Sequence, residues 1–338
     1  MIDLKTYWWP LATLAELKVQ QPLARSLHDI PVVLFRDRAG YPVILLDRCP
    51  HRHAPLSSGR VNQGELECPY HGWRFDGDGY CTRVPGMETG IRRCQTIRKI
   101  SACEAHGLLW GCLSLTETTP DPASPSVLGN NMDTFVMVDR INCTIIAAAE
   151  NFLDGFHTHF VHEGWIRRDN KRQSVKVQVR RLESGVEAQY SNESLQSGLI
   201  SRILESDRTE SMGRFRLPGI AEIEYRGRKG LNLLITTWLT PEAEGRLRIY
   251  ARITTRRGLI PGWLKKLLLK HLFSVILRQD KKILEQTHIN ITNFKHCQQP
   301  DLMAKYMDSP LDLLGPSIRR LMNGESLEEI NTTITVKL

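Results

Sequence analysis

Cys49-Pro50-His51 is followed after sixteen residues by Cys68-Pro69-Tyr70-His71. Two thiols and two imidazoles in two short pairs are the donor set of one metal centre gripped by two loops. Zinc accepts such a set, but its loops commonly pair Cys with Cys and His with His. One Cys and one His on each loop suits a [2Fe–2S] cluster in which one iron takes both thiolates and the other both imidazoles. Neutral imidazoles raise the potential of such a cluster above that of an all-cysteine one. A zinc-stabilised loop stays open as the alternative. His53 falls outside the paired spacing and reads as polar loop structure. Cys81, Cys94, Cys103, Cys112, Cys143 and Cys297 have no paired spacing and read as small buried side chains.

A second concentration runs from Glu150 to His162 and holds Asn151, Asp154, His157, His159 and His162 among apolar and aromatic residues. Asp154 and His157 share a face if this stretch is helical. His157 and His162 are five apart and splay on a regular helix, so a helix that ends or bends after His157 is needed to bring them together. Two histidines and a carboxylate, with open positions opposite, form the face that O₂-activating Fe(II) uses. The candidate carboxylate is Asp280, the polar member of the stripe Phe273, Ile276, Leu277, Asp280, Leu284. A carboxylate on an apolar stripe needs a positive partner, because burying its charge alone is costly. A metal ion supplies one; a salt bridge to Lys281, Arg278 or a distant Arg is the rival. At this level His159 competes with the other histidines, and Glu285 and His288 compete with Asp280. Glu150 and Asn151 either line the pocket or cap the segment.

These groups need scaffolding, and 338 residues suffice for two domains. Residues 30–115 read as short strands, among them 32–35 and 42–46, bounded by turns at 37–40 and 76–79. A Pro-, Ser- and Thr-rich stretch from Thr116 to Asn131 reads as the linker, giving domains 1–118 and 133–338 joined by 119–132. The second part opens with a strand from Thr134 to Ile146 and a helical or turn segment from Ala147. Alternation around Val175, Val177 and Val179, then at 231–239 and 246–255, predicts further strands. Pro261 to His288 reads as a long helix. The class is α+β: an antiparallel sheet with helices on one side.

The net charge of +8 is spread over the chain without a nucleic-acid motif, so nucleic acid is set aside; an acidic redox partner fits as well. No run of about 20 apolar residues predicts a transmembrane helix, and Met1 to Pro10 lacks the layout of a signal peptide. A reducing, cytoplasmic setting is expected. The cationic, apolar run from Trp263 to Leu277 fits a bilayer surface, but a buried helix is the preferred reading.

The motifs Cys-Pro-His-Arg-His-Ala-Pro-Leu from Cys49 and Cys-Pro-Tyr-His-Gly-Trp-Arg-Phe from Cys68 resemble Rieske domains of ring-hydroxylating oxygenases. Asp154-x-x-His157-x₄-His162 is similar to that family's iron motif, and Gln279-Asp280-Lys281 to its late carboxylate helix. The chain's length and its opening Tyr-Trp-Trp-Pro resemble the branch that includes dicamba and vanillate O-demethylases. The resemblance implies an all-β Rieske [2Fe–2S] domain followed by a helix-grip, START-like catalytic domain, a curved antiparallel sheet around a long helix. It implies a [2Fe–2S] cluster on Cys49, His51, Cys68 and His71, and mononuclear Fe(II) on His157, His162 and Asp280, with Asn151 nearby. It also implies a head-to-tail homotrimer in which Asp154 bridges His157 to His71 of a neighbour. O₂ is the cosubstrate, and NAD(P)H acts only indirectly, through a reductase or ferredoxin. The expected reaction is hydroxylation or oxidative O- or N-demethylation of a small organic substrate. Residues 195–230, with Met212, Phe215, Leu217 and Tyr225, are expected to help form its pocket. The rival class is a Rieske electron carrier whose second domain binds a ligand without catalysis.

Overall fold

The computed structural model describes residues 2–87, 96–127, 131–191, 208–258, 261–296 and 307–338. Two compact units divide the chain. One comprises Asp3–Ser124 with Thr240–Glu244, the other Pro125–Leu239 with Gly245–Leu338.

The first unit is all β. A six-stranded sheet orders its strands as Trp9–Thr13, Leu108–Cys112, Lys99–Ala105, Pro42–Leu46, Ile30–Arg36 and Leu23–Leu27. A smaller sheet is built from the short strands Arg60–Asn62, Glu65–Glu67, Arg74–Phe75 and Cys81–Arg83. The predicted turns form by side-chain capping. Asp37 Oδ1 accepts from Tyr41 N, and Asp76 Oδ1 accepts from both Asp78 N and Tyr80 N. Gly79 closes the second turn at φ +82°, where a Cβ would lie 2.1 Å from the Ile97 carbonyl oxygen, so glycine is required. Between the sheets lies an apolar core that includes Val33, Phe35, Leu45, Leu56 and Phe75, and both Cys49 and Cys68 belong to it.

The second unit is a curved eight-stranded antiparallel sheet with helices. Its order is Met132–Ile141, Arg246–Arg256, Gly230–Ala243, Ile220–Gly227, Arg208–Arg216, Gly185–Ser191, Ser174–Leu182 and Asn331–Lys337. Helix α1 spans Ile145–Leu153, with Thr144 capping its first turn through Ala147 N. The long helix α2 spans Gly262–His296 and α3 spans Gly315–Met322. Leu269, Leu272 and Phe273 of α2 pack on Phe135, Met137, Leu233 and Ile253 of the sheet.

The opposite face of this sheet departs from simple alternation. Glu187, Glu222 and Glu224 are buried there, paired with Arg180, Arg214, Arg216 and Arg226. Glu222 also accepts from Ser126 N and Thr236 Oγ1, so its oxygens are satisfied. The C-terminal residues form the edge strand Asn331–Lys337.

Candidate functional site

Cys49 and Cys68 sit at equivalent points of two matching loops. In each, the cysteine N–H donates to a carbonyl five residues on: Ala54 at 2.9 Å and Trp73 at 2.8 Å. In each, the cysteine carbonyl accepts from the residue four on: His53 at 2.9 Å and Gly72 at 3.1 Å. Those two residues share a left-handed backbone, φ +59° and +69°. His53 therefore occupies the position that Gly72 fills in the other loop, which gives it a conformational role.

The loops bury their sulfurs and expose their imidazoles. Cys49 and Cys68 are 2% and 3% accessible, while His51 and His71 are exposed. Burial pushes the Cys49 thiol up to about 11, beside Cys68 and against amides that favour its anion, so a thiolate here calls for a cation. The His51 and His71 rings lie 4.7 Å apart. Trp73 stacks on His51 at 4.7 Å and 7°, and Tyr70 on His71 at 4.0 Å. Glu67, just before Cys68, anchors the second loop by ion pairs to Arg60 and Arg74. The geometry bears on the zinc alternative. One tetrahedral ion needs all four donors around a point. Among the described residues, only His157, His162 and Asp280 bring three ligand atoms within 4.8 Å of one another. The cysteine and histidine pairs thus fit a two-iron cluster better than a single ion.

The second centre starts at the end of α1. That helix stops at Leu153, earlier than a bend after His157 would need, because Asp154 turns extended (φ −77°, ψ 120°). The Asp154 carboxylate then accepts from Phe156 N at 2.7 Å and His157 N at 3.1 Å, starting a single 3₁₀ turn, His157–His159. Asp154 and His157 meet through this cap, at 3.6 Å between Oδ2 and Nδ1, instead of through a helical face. Arg167 staples the loop by donating to Gly155 O and Thr158 Oγ1.

Asp280 Oδ1 lies 3.4 Å from His157 Nε2 and 3.0 Å from His162 Nε2. Metal–donor bonds of about 2.1 Å at right angles put neighbouring donors about 3.0 Å apart, so this spacing suits one octahedral face. His162 is 1% exposed, and its Nδ1–H donates to Gln279 Oε1 at 2.9 Å, which leaves Nε2 free for a metal. Asn151 Nδ2 donates to Asp280 Oδ1 at 2.9 Å. Burial disfavours charge on His157, yet Asp154 and Asp280 push its pKa up to about 9; in turn both histidines hold Asp280 well below the usual carboxylate range despite burial.

The rivals fall elsewhere. His159 turns away to Phe156 O, and Glu285 accepts from Asn142. Gly245 makes room for His288. Glu150 pairs with Arg319. The salt-bridge alternative for Asp280 gives way to the two histidines, since Lys281 reaches Asp139 and Arg278 bonds Ser274 O. Cys81, Cys112 and Cys143 are buried thiols whose pKa burial raises. Cys94, Cys297 and the 195–207 part of the expected pocket segment lie outside the described residues.

Two apolar cavities flank Asp280 and share Phe152, Ile235, Phe273 and Ile276. One, of about 150 Å³, is bounded by His157, His162, Met212 and Tyr225; the other, of about 110 Å³, by Met137, Asn151 and Leu284. Phe215 belongs to the core and lines neither cavity. Gln279, Trp73 and Leu338, which also lines the larger cavity, were not singled out by spacing. Gln279 was visible only as the residue before the candidate carboxylate.

Residues 7–124 match the Rieske [2Fe-2S] domain, and residues 141–325 match the vanillate O-demethylase oxygenase C-terminal domain. The dicamba O-demethylase oxygenase component of Stenotrophomonas maltophilia is 33% identical over 168 residues, 48% of each chain. Chlorophyllide a oxygenase of Chlamydomonas reinhardtii is 36% identical over 168 residues, 49% of this chain and 25% of that protein. The matches thus span half or less of these relatives. Dicamba monooxygenase bound to dicamba superposes with a TM-score of 0.78 over 96% of this chain and 98% of that one, at 21% identity. NdmA of Pseudomonas putida CBB5 with caffeine gives 0.76 over 95% and 90%, at 20% identity. At such identities the likeness is one of fold.

Proposed function

Because this chain belongs to the Rieske non-haem iron oxygenase family, we propose that it is the terminal oxygenase of a multicomponent system acting on a small, apolar, aromatic or cyclic substrate. Cys49, Cys68, His51 and His71 hold the [2Fe–2S] cluster in this reading, and His157, His162 and Asp280 hold Fe(II). Bound iron supplies one-electron storage at the first site and O₂ activation at the second. The carrying observation is the convergence of His157, His162 and Asp280 beside two apolar cavities, in the same chain as the two Cys/His loops.

The residues divide the work. Gln279 fixes the His162 tautomer, and Asn151 orients the Asp280 carboxylate. A cavity of about 150 Å³ is the size that admits one aromatic ring. Its apolar wall excludes water and orients the substrate by shape. Asp154 keeps its carboxylate 39% exposed while touching His157. It is thereby available to the exposed His71 of a neighbouring copy, and a head-to-tail homotrimer would route electrons through that contact. The relative named as a dicamba O-demethylase oxygenase component supports oxidative O-demethylation, with N-demethylation and hydroxylation as the same chemistry on other substrates. A reductase or ferredoxin supplies the electrons, NAD(P)H being used upstream, and a cytoplasmic setting fits these partners.

Anaerobically purified, iron-reconstituted protein tests this reading. We expect the rhombic EPR signal of a reduced mixed-ligand cluster, a further iron per chain, and substrate-dependent O₂ uptake with a reductase. A cluster signal without the additional iron, and without O₂ uptake across aromatic ethers and N-methyl heterocycles, would leave only an electron carrier with a ligand-binding second domain.

A further inference from the structure

The first turns of α2 carry a surface that neither metal centre uses. Trp263, Leu267 and Leu268 are 71%, 63% and 56% exposed, although neighbouring Leu269 is buried in the core. Trp263, Lys266, Leu267, Lys270 and His271 recur at helical spacing, so they share one outward side, and all are exposed. A helix that spends its inner stripe on a sheet and cavity has no packing reason to repeat apolar residues outside.

The charge around these residues is one-sided. From Gly262 to Gln279 the helix carries four Lys and Arg (Lys265, Lys266, Lys270 and Arg278) and no Asp or Glu. The carboxylate that approaches from the sheet, Asp133, is neutralised by Lys265 and Arg257. Among the described residues, Lys266 and Lys270 form no ion pair with a carboxylate. Further along the helix, Lys281 is paired with Asp139. Exposed tryptophan and leucine ringed by cations, on a helix lying flat along a protein surface, is the chemistry of an interfacial helix.

We propose that the Trp263–His271 face of α2 is a docking surface for an anionic phospholipid bilayer, with Trp263, Leu267 and Leu268 entering the headgroup boundary and Lys266 and Lys270 facing lipid phosphates. The attachment is peripheral, since among the described residues no helix is long and apolar enough to cross a membrane. The apolar side of the same helix lines both cavities through Phe273 and Ile276. The surface meets the bilayer within a few turns of the cavity wall, a placement suited to substrates that partition into lipid.

Co-sedimentation of the full chain with vesicles decides the matter. Vesicles of phosphatidylcholine with about a third phosphatidylglycerol should bind it, pure phosphatidylcholine much less, and added salt should release it. Lys266→Gln and Lys270→Gln should each weaken partition about fivefold, from the contribution of one cation near such a surface. Trp263→Ser with Leu267→Ser should weaken it about tenfold or more. These side chains are exposed, so the variants should keep the wild-type melting temperature and cluster absorption. Equal sedimentation with neutral and anionic vesicles, or unchanged binding by the serine variant, overturns the proposal. So does a serine variant that instead dissociates an oligomer, because the face would then be covered by a second copy; retention on an acidic protein column with no lipid binding would reassign it to a protein partner.

Discussion

Replacing Gln279 with leucine removes the acceptor that faces His162 Nδ1 at 2.9 Å and keeps nearly the same volume. His162 is 1% exposed, so water does not replace the lost partner. Leaving a buried donor unsatisfied costs about 1–3 kcal/mol, or roughly 5- to 150-fold in an equilibrium constant. Loss of an outer partner to a metal-bound histidine weakens metal affinity by about 10- to 100-fold, so the two expectations overlap. The site keeps His157 and Asp280, so Fe(II) should still bind, more weakly and with faster loss. The assay strips the mononuclear iron, restores Fe(II) anaerobically against a competing chelator, and uses the cluster absorption as an internal reference. Glutamate at 279 keeps an oxygen in the same place and should recover most of the affinity. Affinity within about twofold of wild type for the leucine variant, or an equal loss with glutamate, refutes the idea that this hydrogen bond orients His162.

Asp280→Ala should leave the Rieske absorption intact while abolishing mononuclear iron and turnover; normal iron content in that variant removes Asp280 from the ligand set. Asp154→Asn should retain iron at both centres, yet slow single-turnover electron transfer by about tenfold or more, as expected when a histidine loses its carboxylate partner. Unchanged single-turnover rates would count against the bridge. His53→Gly should keep the cluster's EPR g-values and change stability by no more than about 1 kcal/mol, in the stabilising direction, because glycine adopts the left-handed backbone without strain. Thermal unfolding checks the sign, and loss of the cluster signal would show that His53 does more than hold a turn.

Local chemistry was legible in the sequence and tertiary chemistry was not. The two Cys/His loops are complete within a few residues, so their spacing announced them. Asp280 could be found because helical periodicity is itself local, and a carboxylate interrupting an apolar stripe stands out. The partners of these groups are distant: Gln279 meets His162 across 117 residues, and Asn151 meets Asp280 across 129. No periodicity reports such pairs. The burial of charged strand residues is likewise beyond what alternation reports. Glu187, Glu222 and Glu224 look like a solvated face, yet arginines on the same and adjacent strands bury them. Helix α1 ended before His157 because Asp154 caps the following turn, a competition that residue counting does not weigh. The preferred reading of a buried helix at 263–277 holds for its inner side only, since its outer side leaves Trp263 in solvent.

The matched loops have a directional consequence. Both sulfurs are sealed inside the β core and both imidazoles stand at its rim, each braced by an aromatic ring. Electron tunnelling decays steeply with distance, so a conductor insulated at one pole and bare at the other passes current through the bare pole. With the cluster and the assembly proposed above, the acceptor side would be held in place by the neighbouring copy, and an external donor would have to reach what remains open of the same histidine rim.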